Sequence, residues 1–156
     1  MVDTEAEARE AAAYREHYER LVGLAAALAG PSGAEDIAST VLLRCTRSAS
    51  WPTVENPSAY LTRAVVNEVR SQHRSELRRA ARELRFHQED HREDAYAVPE
   101  VVAALAELPL QQRAVTFLTY WADLTPAGVA AELGITEGSV RKQLARARST
   151  LRRILA

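Results

Sequence analysis

Residues 125–155 read TPAGVAAELGITEGSVRKQLARARSTLRRIL, and this stretch decides the fold. Thr125-Pro126 is a helix start signal, and the short apolar run behind it stops at Gly134. Glycine tolerates the left-handed backbone that a sharp helix-to-helix turn needs. Thr136 then caps a second, longer and basic helix. Val129, Leu133, Ile135 and Val140 are spaced to pack the two helices together. On the second helix, Val140, Leu144, Ala147, Leu151 and Ile154 or Leu155 form a narrow apolar stripe. The rest of its circumference is polar and mostly basic. This is the grammar of a helix-turn-helix, whose second helix presents its first turns to base edges in the major groove. The residues so placed are Ser139, Arg141, Lys142, Gln143 and Arg146, with Thr136 leaving N-terminal amides to face phosphate. A solvated basic face on an ordinary helical hairpin is the competing explanation. The cap, the turn glycine and the apolar spacing together favour DNA.

Working outward, every long segment reads as helix. The first spans 4–29, with a Thr4/Glu7 capping box and a Gly30-Pro31 stop. Ser32 and Glu35 repeat the box and open a second helix, whose inner face is Ile37, Val41, Leu42 and Cys45. Cys45 there reads as a small buried hydrophobe, not a reactive thiol. Residues 50–55 break the periodicity and read as a loop. Asn56-Pro57 starts a third helix that continues toward Arg85. Residues 86–99, FHQEDHREDAYAVP, are polar, acidic and aperiodic, and read as a flexible linker. Helices follow at 100–108 and 110–121. No segment has the period-two alternation of a strand. The expected fold is all-α, with two small helical domains at 1–85 and 100–156 joined by the linker 86–99.

Charge supports a nucleic-acid role only when it is read by position. The chain has 20 Lys+Arg and 21 Asp+Glu among 156 residues, a net charge of −1. By blocks, residues 1–36 carry −5, 37–85 carry +5, 86–124 carry −5 and 125–156 carry +4. Two basic modules alternate with acidic segments, the asymmetry expected of a nucleic-acid binder. In the first basic block, Arg63, Asn67, Arg70 and Arg74 are spaced 4, 3 and 4 apart, which aligns them on one helix face. Leu61, Val65 and Val69 occupy another face and point inward. Arg and Asn in such a stripe bind phosphates and read bases. Trp51 in the preceding loop has two open readings: stacking on an unpaired base, or packing on the core.

Other chemistries find no support. There is no catalytic triad, paired-carboxylate site, glycine-rich phosphate loop or metal cluster, so neither enzymatic activity nor a cofactor is expected. Glu35-Asp36 sits at a helix start, where acidic residues already favour the dipole. His87 and His91 lack a third ligand. A single cysteine forms no internal disulfide. No apolar run approaches the roughly 20 residues of a membrane helix, and the acidic N-terminus is no secretory signal. The expected compartment is the cytosol.

Residues 108–155, LPLQQRAVTFLTYWADLTPAGVAAELGITEGSVRKQLARARSTLRRIL, resemble region 4 of the sigma-70 family of bacterial sigma factors. Ala34-Glu35-Asp36-Ile37 and the run NPSAYLTRAVVN at 56–67 resemble region 2 of its extracytoplasmic-function group. The likeness covers both halves in chain order. It implies that the second helix, with Glu35, Asp36, Arg44 and Arg47, meets the beta-prime clamp of RNA polymerase core, and that region 4 contacts the beta flap. It implies recognition of the minus-35 element by the residues named above. The loop 51–58 and third helix would then bind and help melt the minus-10 element through Trp51, Asn56, Tyr60, Arg63, Asn67, Arg70 and Arg74. An anti-sigma protein is a further partner class. Ser39-Thr40 stands where many relatives carry Gln-Glu, which removes charge and reach from the polymerase face. The alternative is a stand-alone helix-turn-helix regulator; such proteins usually dimerise, and no coiled-coil heptads serve that purpose here.

Overall fold

The computed structural model describes residues 4–83 and 100–156. The described elements are α1 (Thr4–Ala29), α2 (Ala34–Thr46), a 3-10 turn (Trp51–Thr53), α3 (Pro57–Glu83), α4 (Glu100–Ala106), α5 (Leu110–Tyr120), α6 (Pro126–Leu133) and α7 (Glu137–Leu155). No strand occurs among the described residues, so the chain is all-α there. The acidic segment read as a linker, with His87 and His91, lies outside them.

Local signals account for most helix ends. Asn56 accepts the Ala59 N–H at 3.1 Å through Oδ1 and so caps α3 ahead of Pro57. Thr125 Oγ1 accepts the Gly128 N–H, and Thr136 Oγ1 the Ser139 N–H, both at 3.1 Å. The start of α2 differs from expectation. Its cap is Gly33, left-handed at φ 82°, with no side-chain cap bond. Ser32 therefore does not close a capping box; a glycine backbone turn takes the chain out of Gly30-Pro31 instead.

Helices α1, α2 and α3 form one three-helix module, while α4–α7 form a second in which α6 and α7 pack together on α5. Leu21, Leu24 and Leu28 of α1, Val41 and Leu42 of α2, and Leu61 and Val65 of α3 are almost fully buried. So are Val115 and Leu118 of α5, Val129 of α6 and Val140 of α7. These residues belong to one continuous hydrophobic cluster, not to two separate cores. The seam is tight where α5 meets α1: a Cβ on Gly23 would lie 3.2 Å from Phe117 Cζ. Only hydrogen at that position lets the phenyl ring approach so closely.

The α7 stripe holds at Val140, Leu144 and Ala147 and then fades. Leu151 packs on the small cluster of Leu105, Leu108 and Ala147. Ile154 and Leu155 are exposed, because no helix remains to cover the last turn. Cys45 is buried as expected, and burial pushes its thiol pKa up, which disfavours the thiolate.

Candidate nucleic-acid interface

The helix-turn-helix is built as its sequence requires. Gly134 adopts φ 67°, ψ 36°, and its N–H bonds the Ala130 carbonyl. Burial of Val140, Leu144 and Ala147 fixes which side of α7 turns outward. Ser139, Lys142 and Arg146 follow i, i+3, i+7 spacing and share the side opposite that stripe. Lys142 and Arg146 are exposed, and no carboxylate among the described residues pairs with them. Ser139 is half-buried beside the cap. Arg141 lies on one flank, exposed and 3.6 Å from Glu137, and half-buried Gln143 lies on the other. The outward face is thus narrower than the five residues read from sequence. Thr136 is exposed, but its hydroxyl oxygen is already used in the cap.

On α3, Leu61, Val65 and Val69 are buried and Arg63, Asn67, Arg70 and Arg74 are exposed. Every residue from 70 to 83 is exposed, so the last turns, about 20 Å of helix, stand clear of the described core. Arg78 extends the stripe by one further i, i+4 step. Glu68 is turned away: it accepts from Arg44 at 3.1 Å and from Gln72 at 3.2 Å. Arg70 approaches Asn67 Oδ1 at 3.5 Å. The outcome is a basic face from which carboxylates are segregated, suited to phosphate oxygens.

The two aromatic residues at the head of α3 part company. Trp51 is 9% exposed and belongs to the core, where its ring meets Tyr60 edge-on at 6.0 Å. Its ring is spent on packing, which favours the core reading over base stacking. Tyr60 is 37% exposed and is the aromatic surface left beside Asn56, itself exposed but committed to its cap.

On α2, Glu35 and Asp36 are exposed at the first turn. Arg44 is held by Glu68, and Arg47 by Glu10 of α1 at 3.5 Å. These four do not form one patch. The centre of the outward face is Asp36, Thr40, half-buried Leu43 and Arg47. Beside it on α1, Tyr14 and Tyr18 stack with centroids 4.4 Å apart, a pair that the sequence reading treated only as apolar spacing. The hydrogen bond with Tyr14 raises the Tyr18 phenol pKa, so it stays neutral.

A cluster that sequence reasoning missed joins the modules. Glu132 near the end of α6 accepts from Ser58 Oγ at 2.9 Å and Thr62 Oγ1 at 2.7 Å. Arg20 of α1 lies 3.8 Å from the same carboxylate, and donates to Thr62 Oγ1 at 2.6 Å. Burial lowers the Arg20 pKa while Glu132 opposes that shift, so the guanidinium remains charged. Arg63 donates to the carbonyls of Ala131 at 2.8 Å and Glu132 at 3.2 Å. Arg113 of α5 donates to the Leu28 carbonyl at the end of α1 and to Leu108 at 2.9 Å. No local periodicity announces bonds across separations of 68 to 85 residues. Their only prior signal was the presence of Arg20, Thr62 and Arg113 on otherwise inward-facing positions.

Comparison with known proteins gives consistent results. A family model described as "Sigma-70 region 2" matches residues 13–96, and one described as "Sigma-70, region 4" matches residues 100–151. No curated protein sequence matches. Among solved structures, the sigma factor RpoE from Bartonella quintana, in complex with the anti-sigma factor NepR, is similar in fold. Its TM-score is 0.72 at 22% identity, over 91% of this chain and 93% of that one. With region 2 and region 4 matched in chain order over most of its length, the chain belongs to the sigma-70 family, in the extracytoplasmic-function group.

Proposed function

We propose that this sigma factor gives RNA polymerase core its promoter specificity, with α7 reading the minus-35 element and α3 the minus-10 element. The supporting observation is the pair of carboxylate-free basic faces, each backed by an apolar seam that fixes its orientation. Ser139, Lys142 and Arg146 are the base-reading and phosphate-binding set of α7, with Arg141 and Gln143 at its flanks. On α3, Arg63, Asn67, Arg70 and Arg74 track phosphates, and Tyr60 offers its ring to a base released from the stack. Melting then needs no covalent step. A flipped base held by protein contacts offsets the few kcal/mol of unstacking. Thermal breathing supplies the opening, and capture makes it last.

The outward face of α2 docks on the polymerase clamp through Asp36, Thr40, Leu43 and Arg47, flanked by Glu35 and Arg44. The exposed end of the second module meets the flap. By likeness to RpoE, solved with NepR, an anti-sigma protein is a further partner. Work on the nucleoid places the chain in the cytosol.

Substitution of Lys142 by alanine tests the assignment of α7. A lost bidentate or phosphate contact costs about 1–3 kcal/mol, so upstream promoter affinity of the holoenzyme falls at least several-fold while core binding is kept. Loss of core binding with intact promoter affinity would show that this face belongs to polymerase.

A further inference from the structure

We infer that the chain closes on itself, and that Glu132 is the latch that keeps its two DNA faces from engaging a promoter together. This rests on the promoter-binding reading above and adds to it a regulated state of the free protein.

The latch is a carboxylate with a complete set of partners. The Glu132 side chain is only 14% exposed. Ser58 and Thr62, one turn apart on α3, each give it a hydroxyl proton, at 2.9 and 2.7 Å. Thr62 in turn accepts from Arg20, so the hydrogen bonds run Arg20 to Thr62 to Glu132 across three helices. Arg20 is positioned from behind by the Ser58 carbonyl at 3.2 Å. Bonds in such a chain polarise one another, and a carboxylate stripped of them in a shielded site is strongly disfavoured. The same contact engages Arg63, whose guanidinium binds the last carbonyls of α6. Those carbonyls carry the negative end of the helix dipole, which favours a cation there.

The consequence for DNA is geometric. Arg63 is the head of the α3 stripe. A Cβ on Gly134 would lie 3.0 Å from its Cζ, and Gly134 is two residues before the Thr136 cap of α7. The two DNA faces thus begin at nearly one point. Minus-35 and minus-10 elements are about 25 base pairs apart, which at 3.4 Å per pair is roughly 85 Å of duplex. Modules in contact do not straddle that length, and Arg63 does not bind phosphate while it binds α6. The chain between Glu83 and Glu100 reaches at most roughly 60 Å when extended, enough to let the modules part. A free chain held shut has one binding-competent module at a time, and its apparent affinity falls by the fraction of open molecules.

The test uses the full chain. Glu132→Ala removes the acceptor, and Thr62→Val removes one donor while keeping the shape of a buried side chain. Small-angle scattering reads the opening without DNA. Fluorescence anisotropy reads binding of the free chain to a labelled promoter fragment from which the holoenzyme initiates. The expected result is expansion of both variants, at least tenfold tighter DNA binding by the free chain, and run-off transcription by the holoenzyme within twofold of the parent. If circular dichroism shows that Glu132→Ala is unfolded, Thr62→Val alone decides. A variant that stays compact overturns the latch. A variant that expands with unchanged DNA affinity overturns its inhibitory role. A parent chain that gives no transcript with core overturns the functional reading and the inhibition with it, while the scattering result still reports whether Glu132 closes the molecule.

Discussion

Replacing Gly134 by alanine should act through two separable effects, and a double-substitution cycle with Arg63→Ala measures each. Gly134 sits at φ 67°, where an L-residue costs about 1–2 kcal/mol. Its new Cβ would also stand 3.0 Å from Arg63 Cζ and 3.1 Å from Nε and Nη2. The guanidinium has to leave, giving up its bonds to the Ala131 and Glu132 carbonyls. At an exposed position these two bonds together contribute about 1 kcal/mol, the low end for charge-assisted pairs. Gly134→Ala should therefore cost about 2–3 kcal/mol and Arg63→Ala about 1 kcal/mol. In the double variant the bonds are lost only once, so it should be less destabilised than the sum by about 1 kcal/mol. Urea denaturation followed by circular dichroism gives all four stabilities, and the continuous core predicts one transition. Additivity within ~0.4 kcal/mol would refute the reasoning, because Arg63 would then have no contact at the α6 terminus to lose.

Thr136→Ala should lower stability by about 1 kcal/mol through loss of the cap to Ser139 N–H, and Thr136→Ser should restore it; equal urea midpoints for all three would disprove the cap. Arg74→Ala in the holoenzyme should flatten the plot of log affinity against log salt by about 0.9 if the residue neutralises one duplex phosphate, whereas an unchanged slope removes α3 from the phosphate path. Burial, only partly opposed by Glu16 and Glu132 and reinforced by Arg20, lowers the His17 pKa below 6.5. The unfolded chain then binds the proton more readily, so this contribution is fully present above about pH 6.5 and is lost as pH falls through the lowered folded value. His17→Phe should show a shallower loss of stability on acidification than the parent, and parallel pH profiles would contradict the assignment.

How much of this was legible in the sequence follows from the range of the interaction. The bounds of α1 and the Asn56, Thr125 and Thr136 caps are local chemistry, written within four residues of where they act. The inward faces of α2 and α3 follow from spacing alone, and Ile37, Val41, Leu42, Leu61, Val65 and Val69 are buried as their periodicity requires. The start of α2 was misread because Ser32 and Glu35 have capping-box spacing, yet left-handed Gly33 intervenes and takes the cap position. The burial of Trp51 depends on a partner ring nine residues away, and the merged core on Gly23 meeting Phe117. Glu132 is the clearest case: on its own helix it looks like a solvated charge, and only the return of α3 and α1 supplies its donors. Face-level geometry also narrowed the α7 set, since Arg141 is drawn aside by Glu137 while Lys142 and Arg146 stay unpaired.

The most direct test of the central claim is run-off transcription with purified RNA polymerase core, a promoter library and this chain as the only specificity factor. The account predicts discrete transcripts from a subset of templates sharing one upstream and one downstream element, none of them made by core alone. Tight, sequence-specific DNA binding by the chain in the absence of core, with no transcript from any template in its presence, would contradict it and leave a stand-alone regulator as the reading.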